Sequence, residues 1–93
     1  MTRQYLIGEL SLLLGELQAA GRSTSVQGVA DLRREVETAP PAALPSMAVR
    51  ALEAANRMSW DSLARGDGRA FARQVIICGE LWEFGVSAGL LQE

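Results

Sequence analysis

The sequence predicts an all-α protein, a four-helix bundle-like arrangement of two helical hairpins joined by a Pro/Ala-rich connector. Three observations predict it. Apolar residues recur at steps of three and four in four separate segments, which is the period of one helix face. Gly21, Pro40-Pro41 and Gly66-Asp67-Gly68 interrupt those segments with the residues that end helices. No segment carries a strand signal. At 93 residues the chain has the length of one domain, 1–93, with hairpin 1 over about 3–38, the connector over about 39–44 and hairpin 2 over about 45–91.

The first helix is expected over 3–20. Leu6, Leu10, Leu13 and Leu17 form its apolar stripe, and Gly21 is its stop. Gly8, Ser11 and Gly15 lie on the opposite face, where a backbone of another element or another subunit has room to approach closely. Glycine inside a helix costs about 1 kcal/mol relative to alanine. The second helix starts near Thr24, which forms a capping box with Gln27. Its stripe is Val29, Leu32 and Val36, with Asp31, Arg34 and Glu35 opposite, and it ends near Thr38 ahead of Pro40 and Pro41.

Pro45 suits the first turn of the third helix, which runs to about Arg65. Its inward face reads Ala48, Ala51, Leu52, Ala55, Ser59, Ser62 and Leu63, small residues that allow close helix approach. Arg50, Glu53, Arg57 and Asp61 lie outward, with Glu53–Arg57 and Arg57–Asp61 at four-residue spacing. Trp60 falls at the border of these two faces, as a partner anchor or as a residue packed under the fourth helix. Asp67 is an N-cap for that fourth helix, which runs to about residue 90. Arg65-Gly66-Asp67, although it matches an adhesion tripeptide, reads as a helix stop followed by a helix start.

The fourth helix carries two apolar stripes. Phe71, Val75, Cys78, Trp82 and Val86 make one; Ile77, Leu81, Phe84 and Ala88, with Gly85 beside them, make the other. A surface helix normally shows one stripe. The second is therefore expected to be uncovered in a lone chain and to form an oligomer interface, most simply a two-fold dimer. The alternative makes the fourth helix central and wrapped by the other three. Gly85 and Gly89 repeat the small-residue spacing of the first helix.

Composition excludes several classes of function. Apolar residues are 48% and charged residues 22%, which favours a globular chain over a disordered one. There is no histidine, so catalytic triads, histidine-based zinc sites and Glu-x-x-His di-iron centres have no donor. There is no lysine either, and a net charge of −2 gives no footprint for a nucleic-acid backbone. Glu9 and Glu16 interrupt the leucine-rich start, unlike the core of a signal peptide. No window reaches the ~18 apolar residues of a membrane span. The lone Cys78 reads as a small core residue of a cytoplasmic protein rather than a reactive thiol.

Two site candidates remain. Arg65, Arg69 and Arg73 recur every four residues across the start of the fourth helix and are the candidate anion-binding group. Glu9, Glu16, Glu80 and Glu83 are the candidates for a carboxylate-only metal cluster, although the plainer expectation places them in solvent or against arginines. No catalytic residue, metal ligand or cofactor is assigned. The expected role is a non-enzymatic protein that self-associates and mediates protein–protein interaction or regulation. The alternative is a small anionic-ligand module built on the arginine group.

Overall fold

Four helices form in the order expected, and the computed structural model describes residues 3–87: α1 (Arg3–Ala19), α2 (Ser23–Thr38), α3 (Leu44–Ala64) and α4 (Gly68–Ser87), with a 3-10 turn over Pro41–Ala43. Among the described residues there is no strand. The leucine stripe of α1 is fully enclosed, and it meets the expected Val29, Leu32 and Val36 of α2 in a single core. The closest helix pairs are α3 with α4 and α1 with α2. Contacts of α1 with α4 and of α2 with α3 complete the ring of four. An arginine of α1, Arg3, ties the two ends of hairpin 1 together by donating to the Val36 carbonyl.

The two hairpin turns are built alike. Gly21 and Gly66 adopt φ of 71° and 78°, the left-handed conformation in which only glycine escapes a Cβ clash. In the first turn Gly21 N–H donates to the Gln18 carbonyl and Arg22 N–H to the Leu17 carbonyl; in the second Gly66 N–H donates to Leu63 and Asp67 N–H to Ser62. Each pair satisfies carbonyls that the helix end leaves without partners. Asp67 then caps α4 as expected, its Oδ1 accepting from Ala70 N–H at 3.1 Å.

The capping box expected at Thr24 is not the start of α2. The glycine turn delivers the chain to a helix beginning at Ser23, with Arg22 in the cap position and no side-chain cap. Gln27 instead donates to Asp31 Oδ1, one turn further on, at 3.0 Å.

The connector turns the chain so that hairpin 2 packs back on hairpin 1 of the same chain. Leu44 and Ala39 at its ends are buried in the common core. Pro45 sits in the first turn of α3, where its missing N–H costs nothing. The inward arc of α3 is as small as expected: Ala48, Ala51, Ala55, Ser59 and Ser62 are all buried. It is also narrower than expected. Leu63 is 45% exposed, because it stands one step around the helix on the α4 flank, and Met58 on the α2 side supplies the large buried side chain instead. The outward four-residue ion pairs of α3 do not form. Asp61 pairs across helices with Arg22 at 2.5 Å, and Arg50 pairs with Glu35 at 2.8 Å.

The largest departure from expectation concerns α4. Ile77, Leu81 and Phe84, expected on the uncovered side, are 5%, 1% and 4% exposed, enclosed by their own chain, and Gly85 is buried with them. Ala88 and Gly89 lie outside the described residues. The buried arc of α4 is Ala70, Gln74, Ile77, Leu81 and Phe84. The polar member Gln74 is what disguises that arc in the sequence. Its burial is tolerated because both ends of its amide are bonded: Ser62 Oγ donates to Gln74 Oε1 at 2.7 Å, and Gln74 Nε2 donates to Glu16 Oε1 at 3.0 Å. The fourth helix is not wrapped by three others either. It packs on α1 and α3, which leaves its remaining arc outward.

Candidate functional site

The outward arc of α4 holds the other apolar stripe. Phe71, Val75, Cys78 and Trp82 follow one another at steps of four, three and four, so they share a line along the helix. Val75 is 43% and Trp82 42% exposed, while Phe71, Cys78 and Val86 are half-buried. Val49, Asn56, Trp60 and Leu63 of α3 lie on one line by the same rule, and Trp60 is 61% exposed. It does not pack under α4.

Two contacts across the α3–α4 seam bring these lines together. Ser62 opposite Gln74 and Ser59 opposite Cys78 fix the axial register. That register sets Trp60 level with Val75–Cys78, and Leu63 level with Phe71–Val75. Moving around either helix from the core, past the seam, leads to the same outer side. The exposed parts of both tryptophans, Leu63 and Val75 therefore make one apolar face on the outside of hairpin 2. Among the described residues no charged side chain lies on it. Glu53 and Arg57 run along its α3 margin, and Glu83 along its α4 margin. The sequence showed this stripe, but a line of aromatic and β-branched residues with a cysteine reads as core.

Cys78 lies half-buried at the edge of this face. Burial pushes its thiol above the ordinary cysteine value, and a hydrogen bond with Ser59 offsets part of that rise. The thiolate needed for reactivity is disfavoured.

The structure does not gather Arg65, Arg69 and Arg73. Arg73 forms a two-point ion pair with Glu16, at 2.9 and 3.2 Å. Arg65 reaches its own helix at Ser62 Oγ, at 3.4 Å. Arg69 is exposed and makes no ion pair among the described residues. The pairing with Arg73 holds the Glu16 carboxyl below the usual range.

The four glutamates do not form a metal cluster. Among the described residues no group of three or more carboxylate or thiol donors converges on one point. Glu16 pairs with arginine as expected, but Glu9 does not. It is 6% exposed between α1 and α4, with no arginine beside it and with Oε2 lacking any hydrogen bond. Burial, and then a hydrogen bond with the Glu80 carboxylate, push its pKa to about 8. Two carboxyl groups share a hydrogen bond only when one carries the proton, and burial makes Glu9 the one that holds it. Tyr5 lies over the pair, donating to the Glu80 carbonyl at 3.5 Å and stacking on Phe84 at 6.2 Å between ring centres.

Gly8 and Gly15 of α1 stay uncovered within the chain, while Ser11 between them accepts a hydrogen bond from Arg33 of α2 at 3.2 Å. A Cβ built at Gly8 or Gly15 meets nothing within 4 Å, and neighbouring Leu12 is 56% exposed. No described helix is long and apolar enough to cross a membrane.

Comparison with known proteins finds no family model, no curated protein and no solved structure that matches this chain.

Proposed function

We propose that this chain is a non-enzymatic helical interaction protein that self-associates through the outer face of hairpin 2. A two-fold dimer in a reducing, cytoplasmic setting is the simplest form. The observation that carries the reading is the uncharged face around Trp60 and Trp82. The exposed fractions of those two side chains together equal about one whole tryptophan, or ~200 Å². With Leu63, Val75 and the half-buried residues between them, the face reaches ~400 Å², as large as the largest patches of ordinary monomers.

A second copy of the chain is the occupant that best suits it. With no charge at its centre, the face offers nothing to select a charged partner. With acidic and basic residues at its margins, a two-fold repeat can set Arg57 near a carboxylate of the other copy. Two such faces turned on each other bury ~800 Å² of apolar surface, worth ~20 kcal/mol at ~25 cal/mol per Å². Loss of translational and rotational freedom removes about 4–15 kcal/mol of that. The remainder is compatible with a micromolar dissociation constant, ~8 kcal/mol.

Sedimentation and light scattering from about 1 to about 100 µM test the reading, since that range brackets the expected constant. A dimer is expected, and Trp60→Glu and Trp82→Glu should each yield a folded monomer by circular dichroism. Leu12→Glu, on an exposed position away from the face, should leave the dimer intact. The chain's two tryptophans both lie on this face, so their emission should shift to shorter wavelength as concentration rises. A wild-type monomer throughout that range, or dimers unaffected by both tryptophan substitutions, overturns the proposal.

A further inference from the structure

The seam between the two hairpins contains a cleft of about 350 Å³, formed where α2 and α3 run side by side. Its floor is apolar, made by Leu17, Val29, Leu32 and Met58. Its rim is basic: Arg22, Arg50 and Arg57 all line it. Two of these are held by carboxylates, Arg22 by Asp61 and Arg50 by Glu35, and both pairs span the two hairpins. In register they stand at opposite ends of the cleft. Arg57 lies between Arg50 and Asp61 on α3 and makes no hydrogen bond or ion pair among the described residues. On the facing helix, Gly28 lies between Arg22 and Glu35 and also lines the cleft. Gly28 is exposed, and a Cβ built on it meets nothing within 4 Å, so a side chain there would extend over the open mouth of the cleft.

We infer that this cleft binds a medium-chain carboxylate, with the acyl chain on the apolar floor and the carboxylate on Arg57. Each feature answers one part of such a ligand. An apolar trough closed at both ends by ion pairs suits a short chain rather than a long one. A half-open cleft of about 350 Å³ lies at the small end of ligand pockets, which suits a chain about as short as that of decanoate. The unpaired guanidinium at mid-rim supplies a planar fork for a carboxylate. The rim carries three arginines against two carboxylates, an excess of one positive charge, matched by one anion. Partly enclosed apolar volume with a few fixed polar groups is the usual composition of a small-molecule site. The floor of the cleft lies on the α2 side of α3, and the site shares only Arg57 with the margin of the outer face.

Decanoate, used below its micelle concentration, is the probe. Isothermal titration should show saturable binding of one decanoate per chain. Arg57→Gln should weaken it by about tenfold, the loss of one charge-assisted contact. Gly28→Leu, which places a side chain over the open mouth of the cleft, should abolish it. Decanol, with the same chain and no charge, should bind at least tenfold more weakly than decanoate. Absence of saturable binding up to millimolar decanoate overturns the inference. So does binding that Arg57→Gln leaves unchanged. Should Gly28→Leu fail to fold, the Arg57→Gln and decanol measurements decide the matter alone.

Discussion

Replacing Glu9 by glutamine should remove most of the alkaline sensitivity of this fold. Glu9 sits at 6% exposure between α1 and α4, and its carboxyl is raised from 4.5 to about 8 by burial and by the Glu80 carboxylate. Because the folded state holds this proton more tightly than the unfolded chain, the associated stability is fully present below pH ~4.5 and is lost as pH rises through ~8. One proton over that interval, at 1.36 kcal/mol per pH unit, amounts to about 3–5 kcal/mol. A domain of this size has about 5–14 kcal/mol of stability in all, so the loss is a large share. The groups facing Glu9 do not obscure the effect. Tyr5, which faces Glu9, is raised above its ordinary value and so stays protonated across this range, and Arg73 holds Glu16 below its own range. The chain has no histidine, so no side chain with an ordinary pKa titrates between about pH 6 and 8. Glutamine keeps the shape of the side chain and stays neutral. In urea unfolding at about pH 5, 7 and 9 the wild type should lose on the order of 4 kcal/mol across the series, while Glu9→Gln stays nearly flat. Parallel profiles for the two proteins would refute the assignment of the proton to Glu9.

Three other outcomes follow from the packing. Leu81→Ala, at a position 1% exposed in the common core, should cost about 2–5 kcal/mol and lower the urea midpoint without changing the slope. Gly66→Ala should cost about 1 kcal/mol, since φ of 78° strains any Cβ. Gly28→Ala should do the reverse, adding up to about 1 kcal/mol in the same assay, because the helix gains a better former and the new methyl meets nothing within 4 Å.

Most of the architecture is legible in the residues. The leucine stripe of α1, the stripe of α2, the small arc of α3 and both glycine turns are where local rules place them. The choice between the two stripes of α4 is not local. Periodicity reports that Ile77, Leu81 and Phe84 share a line, and that Phe71, Val75 and Trp82 share another, but not which one faces in. Gln74 decides it, and its burial depends on Ser62 and Glu16, residues of two other helices. The same limit hid Glu9: a carboxylate within a leucine run looks like a solvent residue until Glu80 is seen beside it. The cleft is equally non-local, since Arg22 and Arg57 lie on different helices and nothing in their spacing relates them.

The inner surface of α3 has one further implication, for which replacements this chain can accept. Ala51 and Ala55 are wholly enclosed, and Ser62 with them, against the helix that follows. The two alanines have little packing to lose on truncation, whereas truncating Ser62 would leave the buried Gln74 Oε1 without its donor. A single added methylene there has no vacant volume to occupy and must either wedge the hairpin apart or twist into an unfavourable rotamer, at about 1–3 kcal/mol. Variation in hairpin 2 is thereby directed away from its interior.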